Sequence, residues 1–77
     1  MDIEKRYGIE IEEFGKRLRK IRESKHLSQL DLELNTGLNR TEISRIENGQ
    51  KNIEFFTMVK LAEGLSIDIS ELFRDAE

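Results

Sequence analysis

The sequence is that of an all-α chain: a compact domain of five helices, with a helix-turn-helix at the second and third. Three observations predict it. Proline is absent and strong helix formers are abundant. Apolar residues recur at steps of three and four, the spacing of one helical face. Residues that start and stop helices stand at short intervals, with Ser28, Asn39 and Asp68 as N-caps and Gly37 and Gly49 as stops.

With 77 residues the chain holds one domain. At this length roughly 60–65% of the unfolded surface is buried, so the core is thin and a deep catalytic pocket is not expected. There is no cysteine, hence no disulfide or thiolate metal site to add stability. No apolar run approaches the roughly 18 residues of a membrane span, and the opening MDIEKRYGIEIEE lacks an apolar signal core. The expected localisation is cytoplasmic.

Residues 1–9 read as a frayed or partly docked lead-in, and residues 10–77 as the domain. From about Glu10 to Lys25, Ile11, Phe14, Leu18 and Ile21 form the stripe of the first helix, with basic residues filling much of the rest. Ser28 and Asp31 form a near capping box that opens the second helix, which runs to about Thr36. Gly37 supplies the positive φ of a helix stop. Asn39 restarts a helix at once, with Glu42 three residues on as a second capping box, so a turn of about three residues joins two short helices. The third helix stops at Asn48-Gly49. Asn52 or Glu54 opens the fourth, carrying Phe55, Met58, Leu61, Ala62 and Leu65. Asp68, boxed with Glu71, opens a fifth with Leu72 and Phe73 facing inward.

The third helix has few apolar residues. In LNRTEISRIENGQKN, Leu38, Ile43 and Ile46 can pack inward, which leaves Arg40, Thr41, Ser44 and Arg45 on one outer side. Net charge is −3, but the distribution is uneven: −3 over residues 1–13, +4 over 14–51 and −4 over 52–77. A basic island between acidic flanks suits a polyanion, since local field outweighs total charge in steering.

The stretch LSQLDLELNTGLNRTEISRIENGQKN resembles the helix-turn-helix domain of phage Cro and repressor proteins, the xenobiotic response element family. Leu27-Ser28-Gln29, Leu32, Gly37, Ile43-Ser44, Ile46-Glu47 and Gly49 carry the resemblance, and LAEGLSIDISELF is similar to the family's closing helices. Together they span about residues 11–73. Within the family, Asn39-Arg40-Thr41-x-Ile43-Ser44 with Lys51-Asn52 is similar to controller proteins of restriction–modification systems. The resemblance implies a repressor-like DNA-binding domain. Where the family has a small residue, this chain has Glu33, which must reach solvent or find a basic partner. Arg22 and Glu47 match an arginine and a glutamate that pair inside the family fold.

In a helix-turn-helix the outer side of the second motif helix enters the major groove, N-terminus first. Arg40, Thr41, Ser44 and Arg45 are therefore the expected base readers. An arginine fork bonds bidentately to guanine O6 and N7, which discriminates by roughly 1–3 kcal/mol. Ser28 and Gln29, at the opening of the second helix, and Asn48, Gln50, Lys51 and Asn52, after the third, are the expected phosphate contacts. Surface solvation is the more ordinary reading of Arg17 and Arg19. The lone histidine, His26, has no evident metal or acid–base partner. With no nucleophile constellation and no glycine-rich phosphate loop, the chain is not expected to be an enzyme, and it calls for no cofactor, metal or small-molecule ligand.

One recognition helix reads only a few base pairs, so a homodimer on an inverted repeat of double-stranded DNA is expected, its two helices about 34 Å apart. The candidates for the dimer contact are Ile53, Phe56, Val59, Ile67, Ile69 and Phe73; several of these can equally complete the core. RNA polymerase is a further candidate partner. The expected function is transcriptional regulation by occupancy, as a restriction–modification controller or phage-type repressor. The rival reading is an antitoxin or other protein-binding module, with Leu30, Leu34 and Phe56 as partner contacts.

Overall fold

A computed structural model of the chain describes residues 2–74. Four α-helices and a closing 3-10 helix follow in order: α1 (Ile3–Ser24), α2 (Gln29–Thr36), α3 (Arg40–Glu47), α4 (Phe55–Leu65) and the 3-10 helix (Ile69–Phe73). No strand occurs among the described residues. The all-α class and the helix-turn-helix at α2 and α3 stand as expected; the fifth helix is a single tight 3-10 segment. Five residues cannot sustain an α-helix, and Asp68 and Glu71 close the segment with their reciprocal capping box.

The start of α1 departs from the sequence reading. No loose lead-in precedes Glu10, because the helix begins at Ile3. Asp2 caps it, its carboxylate accepting the Lys5 amide at 2.8 Å. At 1.5 Å per residue these 22 residues run about 33 Å, close to the molecule's longest extent of 38 Å. The first turns therefore project past the core, and Ile3, Tyr7 and Ile9 stay exposed.

The core lies where the five elements converge. Phe14 and Leu18 of α1 meet Leu32 of α2, Leu38 from the turn, Ile43 and Ile46 of α3, Leu61, Ala62 and Leu65 of α4, and Leu72. Ile21, Leu27, Ile53, Met58, Ile67 and Ile69 pack around it, half-covered. The expected α1 stripe thus points inward. Two α4-side assignments do not hold: Phe55 is 69% exposed and Phe73 53%, although the Phe73 ring leans on Phe14 at 5.5 Å. Phe55 shares the face of Met58 and Ala62, but as the first residue of α4 it lies beyond the elements that cover that face.

The turns set the angle between α2 and α3. Ser28 and Asp31 make a complete capping box, at 2.8 and 2.9 Å. Gly37 ends α2 at φ +79°, its amide reaching Glu33 O at 2.8 Å. Thr36 Oγ1 then accepts the Leu38 amide at 3.1 Å, which guides the chain into α3. Asn39 caps α3 through the Glu42 amide at 2.7 Å. The second half of that expected box does not form, because the Glu42 carboxylate turns to Lys51 at 3.6 Å. His26 and Ser66 take positive φ in the exposed turns after α1 and α4.

Candidate nucleic-acid interface

The outer face of α3 is built by contrast. Ile43 and Ile46 are fully buried, which fixes the rotation of the helix about its axis. Arg40, Thr41 and Arg45 are consequently exposed, and Ser44 is half-exposed between them. Neither arginine enters an ion pair among the described residues, so both guanidinium groups keep all their donors for a ligand.

Behind this face sits a buried charge cluster. The Glu47 side chain has no solvent exposure and receives four hydrogen bonds. Arg22 donates two, at 2.6 and 3.0 Å; Gln29 Nε2 donates one at 3.1 Å; Arg19 Nε donates one at 3.2 Å. Arg22 also donates to Leu27 O at 2.7 Å. One carboxylate at the end of α3 thereby holds α1, the start of α2 and the loop between them. Burial pushes the Glu47 carboxyl up, but the hydrogen bonds from Arg22 and Gln29, the Arg22 charge and the Arg19 hydrogen bond outweigh it and leave it below the usual range. The hydrogen bonds to Glu47 raise Arg22 above its ordinary value against the effect of burial. Both groups are charged, and no buried side-chain polar atom among the described residues lacks a partner.

The same cluster gathers two of the expected phosphate contacts, Gln29 and Asn48. Arg19 Nη2 donates to Asn48 Oδ1 at 2.9 Å, so Asn48, Arg19, Glu47 and Gln29 form one chain of hydrogen bonds. Ser28 stands beside Gln29, exposed, with its side chain spent on the cap. The amides of Gln29 and Leu30 open α2 and have no intrahelical acceptor. Gln50 and Asn52 are exposed and Lys51, half-buried, lies against Glu42. Asn52 also borders an apolar groove of about 160 Å³ lined by Tyr7, Ile11, Phe14, Ile53, Met58 and Phe73.

Several residues of this region escaped the sequence reading. Arg19 is exposed, as expected, yet its guanidinium also bonds Glu47 and Asn48. Arg17 likewise has an internal role, donating to Leu72 O at 2.9 Å and tying α1 to the 3-10 helix. Glu33 is half-exposed and pairs with no basic side chain among the described residues; its Oε1 accepts the Arg40 amide at 2.7 Å, at the N-terminus of α3. A carboxylate there stabilises a helix by about 0.3–1 kcal/mol. Gly15 faces the end of α3 so closely that a Cβ would collide with Ile46 O and lie 2.6 Å from Glu47 O. A glycine inside an amphipathic helix is a readable signal of close packing; nothing local points to the partners of Arg19 or Glu33.

Of the candidate dimer residues, Phe56, Val59 and Phe73 are exposed, whereas Ile53, Ile67 and Ile69 are half-covered against the core. Leu30 and Leu34 are exposed on α2. Among the described residues, no group of three or more His, Asp or Glu could hold a metal ion. No helix among them is long and apolar enough to cross a membrane.

Comparison with known proteins agrees with this geometry. A helix-turn-helix family model matches residues 18–72. Control protein C.MunI of a Mycoplasma species is 43% identical over 65 residues, covering 83% of this chain and 88% of that protein. The crystal structure of the restriction–modification controller C.AhdI from Aeromonas hydrophila superposes with a TM-score of 0.80 at 41% identity, over 82% of this chain and 96% of that one. The controller C.Esp1396I, seen as a tetramer in complex with its natural 35 base-pair operator, is 26% identical with a TM-score of 0.73, over 83% of this chain and 95% of that one.

Proposed function

Because the chain belongs to the helix-turn-helix family, we propose that it is a sequence-specific, double-stranded-DNA-binding transcriptional regulator of the restriction–modification controller type. The observation that carries the reading is the split face of α3. Its apolar residues are fully buried, its outer arginines are exposed and enter no ion pair among the described residues, and its far end is locked to α1 and α2 through Glu47. A helix held so rigidly can present Arg40 and Arg45 to base edges with little ordering left to do on binding. Thr41 and Ser44 fill the positions between them. The α2 amides at Gln29 and Leu30 and the side chains after α3 are placed to hold the backbone on either side.

A homodimer follows from the reach of one short helix. Eight residues contact only a few base pairs, and two-fold pairing doubles the sequence read. Phe56, Val59 and Phe73, apolar and exposed, supply the contact. Any switching comes from protein concentration through dimerisation and from contact with polymerase. Selection of bound sequences from random DNA tests the reading. The expected outcome is an inverted repeat with half-site centres about one helical turn apart, roughly 34–36 Å. Arg40→Ala with Arg45→Ala should abolish the selection while the chain stays folded. Binding that shows no sequence preference, or no fall of log K with log salt, would overturn it.

A further inference from the structure

We propose that Glu33 is a specificity-determining positioning residue: it holds the first residue of α3 so that the Arg40 guanidinium meets one defined base pair. The proposal rests on the reading of α3 as the DNA-reading helix. Its basis is the 2.7 Å hydrogen bond from the Arg40 amide to Glu33 Oε1, which spans seven residues and crosses the turn between α2 and α3. Two acceptors divide the donors of this helix start. Asn39 Oδ1 takes the Glu42 amide and Glu33 takes the Arg40 amide. The first amides of a helix point out along its axis, toward whatever the N-terminus abuts. In a helix that enters the groove N-terminus first, the Arg40 amide would otherwise be open to water or phosphate, and the first turn free to fray.

Glu33 is itself well anchored. It follows Leu32, which is fully buried, and its own carbonyl accepts the Gly37 amide that ends α2. The carboxylate thus transmits the position of the α2 scaffold to the backbone of Arg40. No ion pair joins it to the Arg40 guanidinium among the described residues, so the backbone is fixed while the fork remains exposed. Arg45, five residues on, is held differently, within the helix's own ladder two residues before the buried Glu47. The two reading arginines therefore depend on separate restraints, and a simple capping role for Glu33 would not tell them apart.

The experiment compares wild type, Glu33→Gln and Glu33→Asp. Glutamine presents an acceptor oxygen at the same reach without the charge; aspartate keeps the charge and falls one methylene short. Each protein is titrated with the operator selected from random DNA and with its single-base variants. Arg40→Ala and Arg45→Ala identify which base pair each arginine reads. The expected result is that Glu33→Gln retains both preferences. Glu33→Asp should lose about tenfold of the preference at the Arg40 base pair and keep that at the Arg45 base pair. The proposal is overturned if Glu33→Asp keeps the Arg40 preference, if it loses both preferences equally, or if Glu33→Gln loses what Glu33→Asp keeps. A wild type that selects no sequence overturns the functional reading and this proposal with it; a selective wild type with an unaltered Glu33→Asp sinks only the latter.

Discussion

Removing the Glu47 carboxylate by Glu47→Ala is expected to destabilise the domain severely and to release α3 from its scaffold. The side chain is completely buried and accepts four hydrogen bonds, two of them from Arg22, whose side chain is itself only 10% exposed. After the change, the Arg22 guanidinium keeps only Leu27 O as an acceptor. Breaking a buried pair by removing one partner costs about 3–5 kcal/mol, because the other charge is left uncompensated. A chain of this size has a total stability of only about 4–12 kcal/mol. At about 4–8 °C per kcal/mol the thermal midpoint should fall by at least about 12 °C. Urea unfolding followed by far-ultraviolet circular dichroism measures the loss. The double variant Arg22→Met with Glu47→Leu adds a second reading: apolar side chains of similar bulk should restore much of the stability. They should not restore DNA binding, since Arg19 and Gln29 would still have lost their common acceptor. A Glu47→Ala loss below about 1 kcal/mol would refute the argument that this carboxylate locks the helices.

Three further outcomes follow from the same structure. The Glu47 carboxyl is held below the usual range, as are those of Asp31 and Asp68 by the backbone and side-chain hydrogen bonds of their caps. Their stabilisation is therefore present above the unfolded value, about pH 4, and is lost as pH falls through the folded values, so the urea midpoint should hold from about pH 7 to 5 and then drop; a midpoint unchanged at about pH 3 would contradict this. Gly15→Ala should cost about 1–3 kcal/mol or more, read by thermal melting, because the added methyl meets backbone carbonyls that cannot rotate away. Phe56→Glu should leave the thermal midpoint of the monomer fold nearly unchanged, Phe56 being 66% exposed, while analytical ultracentrifugation shows the dimer dissociating; an intact dimer would remove Phe56 from the interface.

Much of this molecule is legible along the chain, and the exceptions share a character. The N-caps Ser28, Asn39 and Asp68 are occupied, while Glu54 opens α4 without a side-chain cap bond, and the core residues Phe14, Leu18, Ile43, Ile46, Leu61 and Leu72 fall on the faces their spacing indicates. The start of α1 is signalled locally by Asp2 and Glu4 and by Ile3 and Tyr7, which continue the Ile11 stripe at steps of four, but these turns project past the core and stay exposed, like a lead-in. Phe55 has core spacing yet is exposed, because spacing identifies a face but not where a neighbouring element ceases to cover it. The sequence around Arg17 and Arg19 shows only basic surface residues, because their acceptors lie 55 and 28–29 residues away. Long side chains choose partners by proximity in the folded state, and no local pattern encodes that choice.

The sequence by itself determined the order of the helices, the caps at Ser28, Asn39 and Asp68, the turn at Gly37 and the polar outer face of α3, because periodicity and backbone chemistry act over a few residues. Only the tertiary structure decided that Glu33 holds the Arg40 amide, that Glu47 collects Arg22, Arg19 and Gln29, and that Gly15 lets α1 press against the end of α3. Those contacts exist only once buried apolar faces have fixed the helices against one another. Helix packing therefore supplies the rigidity with which the arginines of α3 are held outward.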